Sequence, residues 1–309
     1  MERILVFAFV GLLAQVIDGS LGMAYGVTAS SLLVATNVAP AVASASVHLA
    51  EVGTTAVSGF SHWRFGNVDW SVVARIAIPG AVGAFLGATA LSSLSTASAA
   101  PWMALLLLAL GVYIVARFVF AKPPVVLKGK GPSARLLAPL GLFAGFIDAS
   151  GGGGWGPVAT PTLISTGKLD ARKVIGSVSA SEFAVTVSAS VGFLVGLGSE
   201  AIDWRVVGGL LAGGVIAAPF AAYLVRHLSL PVLGALVGSV IVITNSRTLL
   251  RAVGAESWQA YLVLGLVAAG LMAIALTTSR REAAQAEVEA QDGIEDRIPD
   301  EARTPSQHV

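Results

Sequence analysis

A chain of 309 residues that is 55% apolar and only 12% charged, with mean hydropathy +0.80, is too hydrophobic for a soluble globular domain and belongs in a lipid bilayer. The absence of cysteine excludes disulfides, thiolate metal sites and thiol relays. The net charge of +1 hides an asymmetry: Ser279 to Val309 carries four arginines and eight acidic residues, a local −4 that leaves +5 for the body.

In chain order, Ile4 to Ala14 leads directly into an aspartate motif with no small-residue cleavage site, so it reads as structure rather than a signal peptide. Apolar stretches long enough to cross the hydrocarbon core follow at roughly 41–62, 70–93, 101–120, 172–197, 204–226, 231–250 and 258–278. Two further regions, about 4–36 and 135–166, are long but interrupted at their centres by glycine motifs. A polar link containing Pro123-Pro124, Lys128, Lys130 and Gly131-Pro132 divides the body in two. The acidic end, 279–309, reads as a solvated, disordered tail.

The interruptions are two copies of one pattern. Ile17-Asp18-Gly19-Ser20-Leu21-Gly22-Met23-Ala24-Tyr25-Gly26 recurs 130 residues later as Ile147-Asp148-Ala149-Ser150-Gly151-Gly152-Gly153-Gly154-Trp155-Gly156, followed by Pro157. At an offset of 131, Ser46, Val47, Glu51 and Thr55 match Ser177, Val178, Glu182 and Thr186; at 134, Asp69-Trp70 and Gly80 match Asp203-Trp204 and Gly214. The chain therefore divides into a first repeat (1–121), a basic link (122–134), a second repeat (135–251), an extra helix (252–278) and the tail (279–309).

Loop charge discriminates between two topologies. With each interrupted segment as a full broken span, the lysines and arginines outside tail positions 297 and 303 divide eleven to six; with each as a re-entrant hairpin they divide thirteen to four, only Arg3, Arg205, Arg247 and Arg251 lying on the minor side. The hairpin topology obeys the positive-inside rule better and makes the halves inverted. It places the N-terminus outside and the C-terminus in the cytoplasm. The expected fold is an all-α integral membrane protein of two inverted repeats, each a Gly-rich re-entrant or broken hairpin plus three transmembrane helices, with one extra C-terminal helix.

The two glycine motifs and the duplicated glutamate helices resemble the sulfite exporter TauE/SafE family of membrane permeases, over roughly residues 4–278. The resemblance implies movement of small anions, particularly sulfite and organosulfur compounds such as sulfonates, across the bacterial inner membrane. The copies differ: Ala149 stands for Gly19, and glycines for Leu21, Met23 and Ala24, which suits one half as a tighter scaffold and the other as a more plastic gate.

The residues give a compatible chemistry. A half-helix beginning after Tyr25-Gly26, or after Trp155-Gly156 with Pro157 at its first position, would turn backbone N–H groups and a positive dipole end towards an oxyanion. The substrate-binding candidates are Gly19, Ser20, Gly22, Tyr25, Gly26, Ser150, Gly151, Gly152, Gly153, Trp155 and Gly156; alternatively the glycines serve only close helix crossing. Ser44, His48, Glu51 and Thr55 share one helical face, repeated by Ser179, Glu182 and Thr186. Buried carboxylates there suit proton coupling or gating through Glu51, Glu182, His48, Asp18 and Asp148, or act as hydrogen-bonded struts. For Asp18 and Asp148 the structural role, bonding the glycine-loop amides, is preferred. Asp69 and Asp203 read as helix N-caps, and Trp70 and Trp204 as interfacial anchors.

Together these point to a secondary transporter of a small anion, with a passive anion channel as the alternative. An enzyme is not expected, since no nucleophile, base or metal cluster is evident, and no cofactor, metal or ATP-binding motif is foreseen. The expected partners are the anionic substrate and membrane lipids, with no nucleic acid; a homo-oligomer is left open.

Overall fold

The structure, a computed structural model, describes residues 2–21, 23–120, 131–224 and 229–295. The link at 121–130 and the end of the tail, 296–309, lie outside the described residues. Eleven α-helices carry the described chain, with a single 3-10 turn at Ser199–Ala201. In order they are α1 (Glu2–Leu21), α2 (Tyr25–Ala35), α3 (Pro40–Arg64), α4 (Trp70–Ser93), α5 (Thr96–Val119), α6 (Ala134–Gly151), α7 (Trp155–Ser165), α8 (Ala171–Leu197), α9 (Trp204–Leu224), α10 (Leu230–Ala252) and α11 (Trp258–Glu295). Five are long and apolar enough to cross a membrane: α4, α5, α8, and the segments Pro231–Ala252 and Trp258–Arg280. Their outward faces carry exposed Ile78, Val82, Leu86, Val195 and Leu266, as lipid contact requires.

Both glycine motifs break the helix. Each is flanked by a longer arm (α1, α6) and an 11-residue arm (α2, α7), too short by itself to span a bilayer at about 1.5 Å per residue. Gly152 ends α6 in a left-handed turn (φ 76°), which lets the Gly153 N–H close on the Asp148 carbonyl at 2.8 Å. The half-helices begin at Tyr25 and Trp155, two residues earlier than expected, so Pro157 stands third rather than first in α7. The reason is that aspartate side chains cap those two N–H groups, as described below. The C-terminal helix also departs from expectation, continuing beyond 278 to Glu295 through Glu282, Ala283, Ala284, Gln285 and Ala286, all good helix formers.

The halves interlock. The first helix of each packs on the fourth of the other, α1 on α9 and α6 on α4, while α3 packs on α8 and α5 on α10. Equivalent residues make equivalent contacts. A Cβ on Gly11 would collide with the Leu210 backbone, and one on Gly141, 130 residues on, with that of Ile76, which aligns with Leu210. The α3 and α8 axes run antiparallel: Thr55 meets Thr186 at 3.4 Å, and Ser58 meets Ser179 at 2.8 Å. In α5 and α10, Gly111 faces Ile241, Gly238 faces Val115 and Gly234 faces Phe118, again antiparallel. Each of the two main apolar cores draws from both halves, one including Tyr25, Leu107 and Leu210, the other Ile76, Trp155 and Phe193. At the helix ends Asp69 accepts from the N–H of Ser71 (2.9 Å) and Asp203 from that of Arg205 (3.0 Å), as N-caps do. Trp70 and Trp204 beside them are exposed.

Candidate functional site

The two helix breaks meet at the centre of the molecule. Gly26 packs on Gly153, where a Cβ would lie 2.9 Å from the opposing Cα, and a Cβ on Gly156 would lie 3.2 Å from that of Met23. These are equivalent contacts, since Met23 and Gly153 occupy the same motif position. Only a residue without a side chain permits the first approach.

Each break is organised by its aspartate. Asp18 Oδ1 accepts from the Tyr25 N–H at 3.1 Å, and Asp148 Oδ1 from the Trp155 N–H at 2.9 Å. A carboxylate at a half-helix N-terminus satisfies an amide with no intrahelical partner and lies at the positive end of the dipole. The aromatic residue that follows turns into the packing. The Tyr25 hydroxyl donates to the Leu210 carbonyl at 3.3 Å, and Trp155 Nε1 to the Val178 carbonyl at 3.1 Å. Trp155 fits because position 80 is glycine: a Cβ there would lie 2.6 Å from the indole.

Asp148 has a second partner. Its Oδ2 lies 3.1 Å from Nε2 of His48, which is fully buried and packs at a 5.8 Å ring separation against Phe193. His48 Nδ1 faces the Ser44 carbonyl at 2.8 Å, and a carbonyl only accepts, so Nδ1 carries a proton. The contact between Nε2 and the carboxyl group then holds one shared proton, on the imidazole or on the acid. Ser44 donates its hydroxyl to the Ala149 carbonyl at 2.7 Å, and Ser30 donates to that of Gly152. In the second repeat the positions matching Ser44 and His48 are Ile175 and Ser179 on α8, and among the described residues neither reaches Asp18 of the first break in this way; Ser179 pairs with Ser58.

A cavity of 440 Å³ opens beside the crossed breaks. Asp18, Glu51, Asp148 and Glu182 line it with Gln15, Ser58, His62, Thr160 and Ser179, and the first turns of α2 and α7 reach it through Gly26, Gly156 and Pro157. No lysine or arginine is among its lining residues. The sequence-derived candidates thus divide. Asp18, Glu51, Asp148, Glu182, Gly26 and Gly156 come together at the cavity, with Tyr25 in a smaller adjoining chamber. Gly151 faces Leu106, Gly152 faces Met103 and Ser30, and the Ser150 hydroxyl bonds back to the Phe146 carbonyl at 2.7 Å, so these three serve packing. Trp155 is wholly buried, and its one side-chain donor is committed to Val178. Gly153 belongs to the crossing itself. Gly19 and Ser20 lie in the last turn of α1, and Gly22 is outside the described residues.

Sequence reading missed Gln15, Ser58, His62 and Thr160. The available signal was their polarity within apolar runs: Gln15 lies one helical turn before Asp18, and Ser58 one turn after Thr55. Among the described residues no cluster of three or more histidine or acidic side chains is arranged to hold a metal ion.

A multi-pass helical fold with broken helices crossing at a polar central cavity defines a class, the membrane transporters. This chain belongs to the sulfite exporter TauE/SafE family, whose model matches residues 7–248. It is 56% identical over 252 residues to the "Probable membrane transporter protein YtnM" of Bacillus subtilis (strain 168), covering 81% of this chain and 84% of that protein. No solved structure matches the chain.

Proposed function

We propose that the protein is a secondary transporter that moves a small oxyanion, sulfite or an organosulfur anion such as a sulfonate, across the bacterial inner membrane by alternating access. The observation that carries the proposal is the convergence of two half-helix N-termini, one from each repeat, on one 440 Å³ cavity. The antiparallel pairing of α3 with α8 and of α5 with α10 supports inversion of the repeats, because equivalent helices that run antiparallel must cross the bilayer in opposite directions. The 11-residue length of α2 and α7 supports re-entrant hairpins. With the thirteen-to-four division of loop charge, this supports an N-terminus outside and a C-terminus in the cytoplasm.

The anion enters a cavity whose walls supply four carboxyl groups and no fixed side-chain cation, so its binding requires that these acids be neutralised. The proton shared by His48 and Asp148 leaves that pair without net charge, and a proton on Glu182 couples the cycle to protons. The backbone amides at Gly26 and Gly156 receive the oxyanion, and relative movement of the halves about the glycine crossing exposes it to one side and then the other.

The test is uptake of radiolabelled sulfite and of a small sulfonate by proteoliposomes under an imposed proton gradient. Saturable uptake that follows the gradient, and loses that dependence in Glu182→Gln, is the expected result. Uptake that responds to membrane potential alone would make the protein a passive anion channel.

A further inference from the structure

Behind the substrate cavity, between α1, α3 and α8, lies a chamber of 30 Å³, large enough for about one water-sized occupant. Its walls present only oxygen- and amide-bearing side chains: the carboxylates of Asp18, Glu51 and Glu182, the hydroxyls of Tyr25, Thr54, Thr55, Ser58 and Ser179, and the Gln15 amide. The direction of the hydroxyl hydrogen bonds decides what such a chamber accepts. Tyr25 gives its proton to the Leu210 carbonyl (3.3 Å). Thr55 and Thr54 give theirs to the Glu51 carbonyl (2.6 and 3.3 Å), and of Ser58 and Ser179 one donates to the other (2.8 Å). What these groups turn to the chamber is mainly lone pairs, and no lysine, arginine or histidine lines it.

An independent observation points the same way. Glu51 is only 4% exposed, lines both spaces, and its carboxylate has no hydrogen-bond partner among the described residues. A buried carboxylate without a partner is costly unless it takes a proton or a cation, and the oxygens gathered around this one suit a cation. Carboxylate, hydroxyl and amide oxygens are the ligands of hard cations. The described acids and histidines do not converge as a divalent or transition-metal site requires, which leaves an ion of low charge held by mixed oxygens.

We infer that this chamber is a monovalent-cation site that takes Na+, formed by Glu51 and Asp18 with the hydroxyls of Thr54 and Thr55, and that its ion reduces the negative charge on the wall of the neighbouring substrate cavity. The inference rests on the transport reading only in its second half. A filled chamber removes negative charge where the oxyanion must sit, so the two ions bind cooperatively, each raising the other's affinity by the same factor.

The experiment is binding of radioactive sodium to the purified full-length protein in detergent at alkaline pH, with choline chloride as the ionic-strength control and no anionic substrate present. Saturable binding is expected, weakened at least about tenfold by Glu51→Gln and by Thr54→Val, as loss of a ligand or of its support would do. If Glu51→Gln does not fold, Thr54→Val decides alone. Sodium no more effective than choline, or affinity unchanged in the variants, overturns the site, as does displacement by protons with no sodium binding at any pH. Sulfite then distinguishes the two proposals. Sodium binding that persists while no sulfur anion is transported removes the anion reading and leaves the cation site, whereas transport without sodium binding does the reverse.

Discussion

The two glycine breaks are one device built twice, and they differ in what holds them. In both, an aspartate caps the N–H seven residues ahead and an aromatic side chain donates to a distant carbonyl. The second break is in addition tied to α3 by two side chains, Ser44 on the Ala149 carbonyl and His48 on Asp148. Among the described residues the first break has no such ties to α8, because Ile175 and Ser179 occupy the matching positions. Duplication supplied the geometry, and divergence bolted one copy to α3 while leaving the aspartate of the other without a side-chain partner from α8 among the described residues. The backbone carries the same difference in reverse. Ala24 adopts φ 96° immediately before α2, in a region that disfavours a Cβ, where the second copy has Gly154.

The largest test of this asymmetry is His48→Ala against Ser179→Ala, its positional equivalent. The first strands a buried carboxyl group and is expected to cost about 3 kcal/mol. The second removes one hydroxyl pair and should cost about 1 kcal/mol. Equal losses of thermal stability in detergent would break the comparison. The shared architecture predicts the opposite outcome at Gly11→Ala and Gly141→Ala. Both drive a methyl into an opposing backbone and should cost similar amounts, about 2 kcal/mol each; a large inequality would show that the α1–α9 and α6–α4 contacts are not equivalent.

Smaller effects sharpen the picture. Ala24→Gly relieves the left-handed alanine and is expected to stabilise by about 1 kcal/mol, while Gly154→Ala, at φ 157°, destabilises; a melting shift of the same sign in both variants would refute it. The smallest concerns Asp69, whose carboxyl group the Ser71 hydroxyl and the N–H groups of Ser71 and Val72, with Lys173 nearby, hold below the ordinary value of 3.8. A depressed folded-state value stabilises above the unfolded value, and that contribution is lost as pH falls below 3.8 through the folded one. Asp69→Asn should therefore flatten the acid limb of the stability profile slightly, the group being mostly exposed.

Much of the site was legible because buried polar residues in an apolar chain are few. Asp18, Asp148, Glu51 and Glu182 were candidates on polarity and repetition, and all four line the cavity. What failed to transfer was the role of individual glycines and aromatics. Gly151 and Gly152 look equivalent to Gly153 in sequence, yet they face Leu106 and Met103, because a broken helix turns successive residues to different neighbours. Tyr25 and Trp155 spend their donors on Leu210 and Val178, partners 185 and 23 residues away that no local pattern indicates.

By itself the sequence determined the apolar character, five of the seven expected spans, the internal residue repeats and the positions of the two breaks, since hydropathy, glycine content and residue repeats are local quantities. The tertiary structure alone decided that the breaks cross at Gly26 and Gly153, that His48 lies against Asp148 100 residues away, and that three carboxylates and five hydroxyls close a chamber beside the cavity. Those facts depend on which helix of one half packs against which of the other, and that choice is made by the fit of small residues between helices, a property of the paired surfaces rather than of either segment.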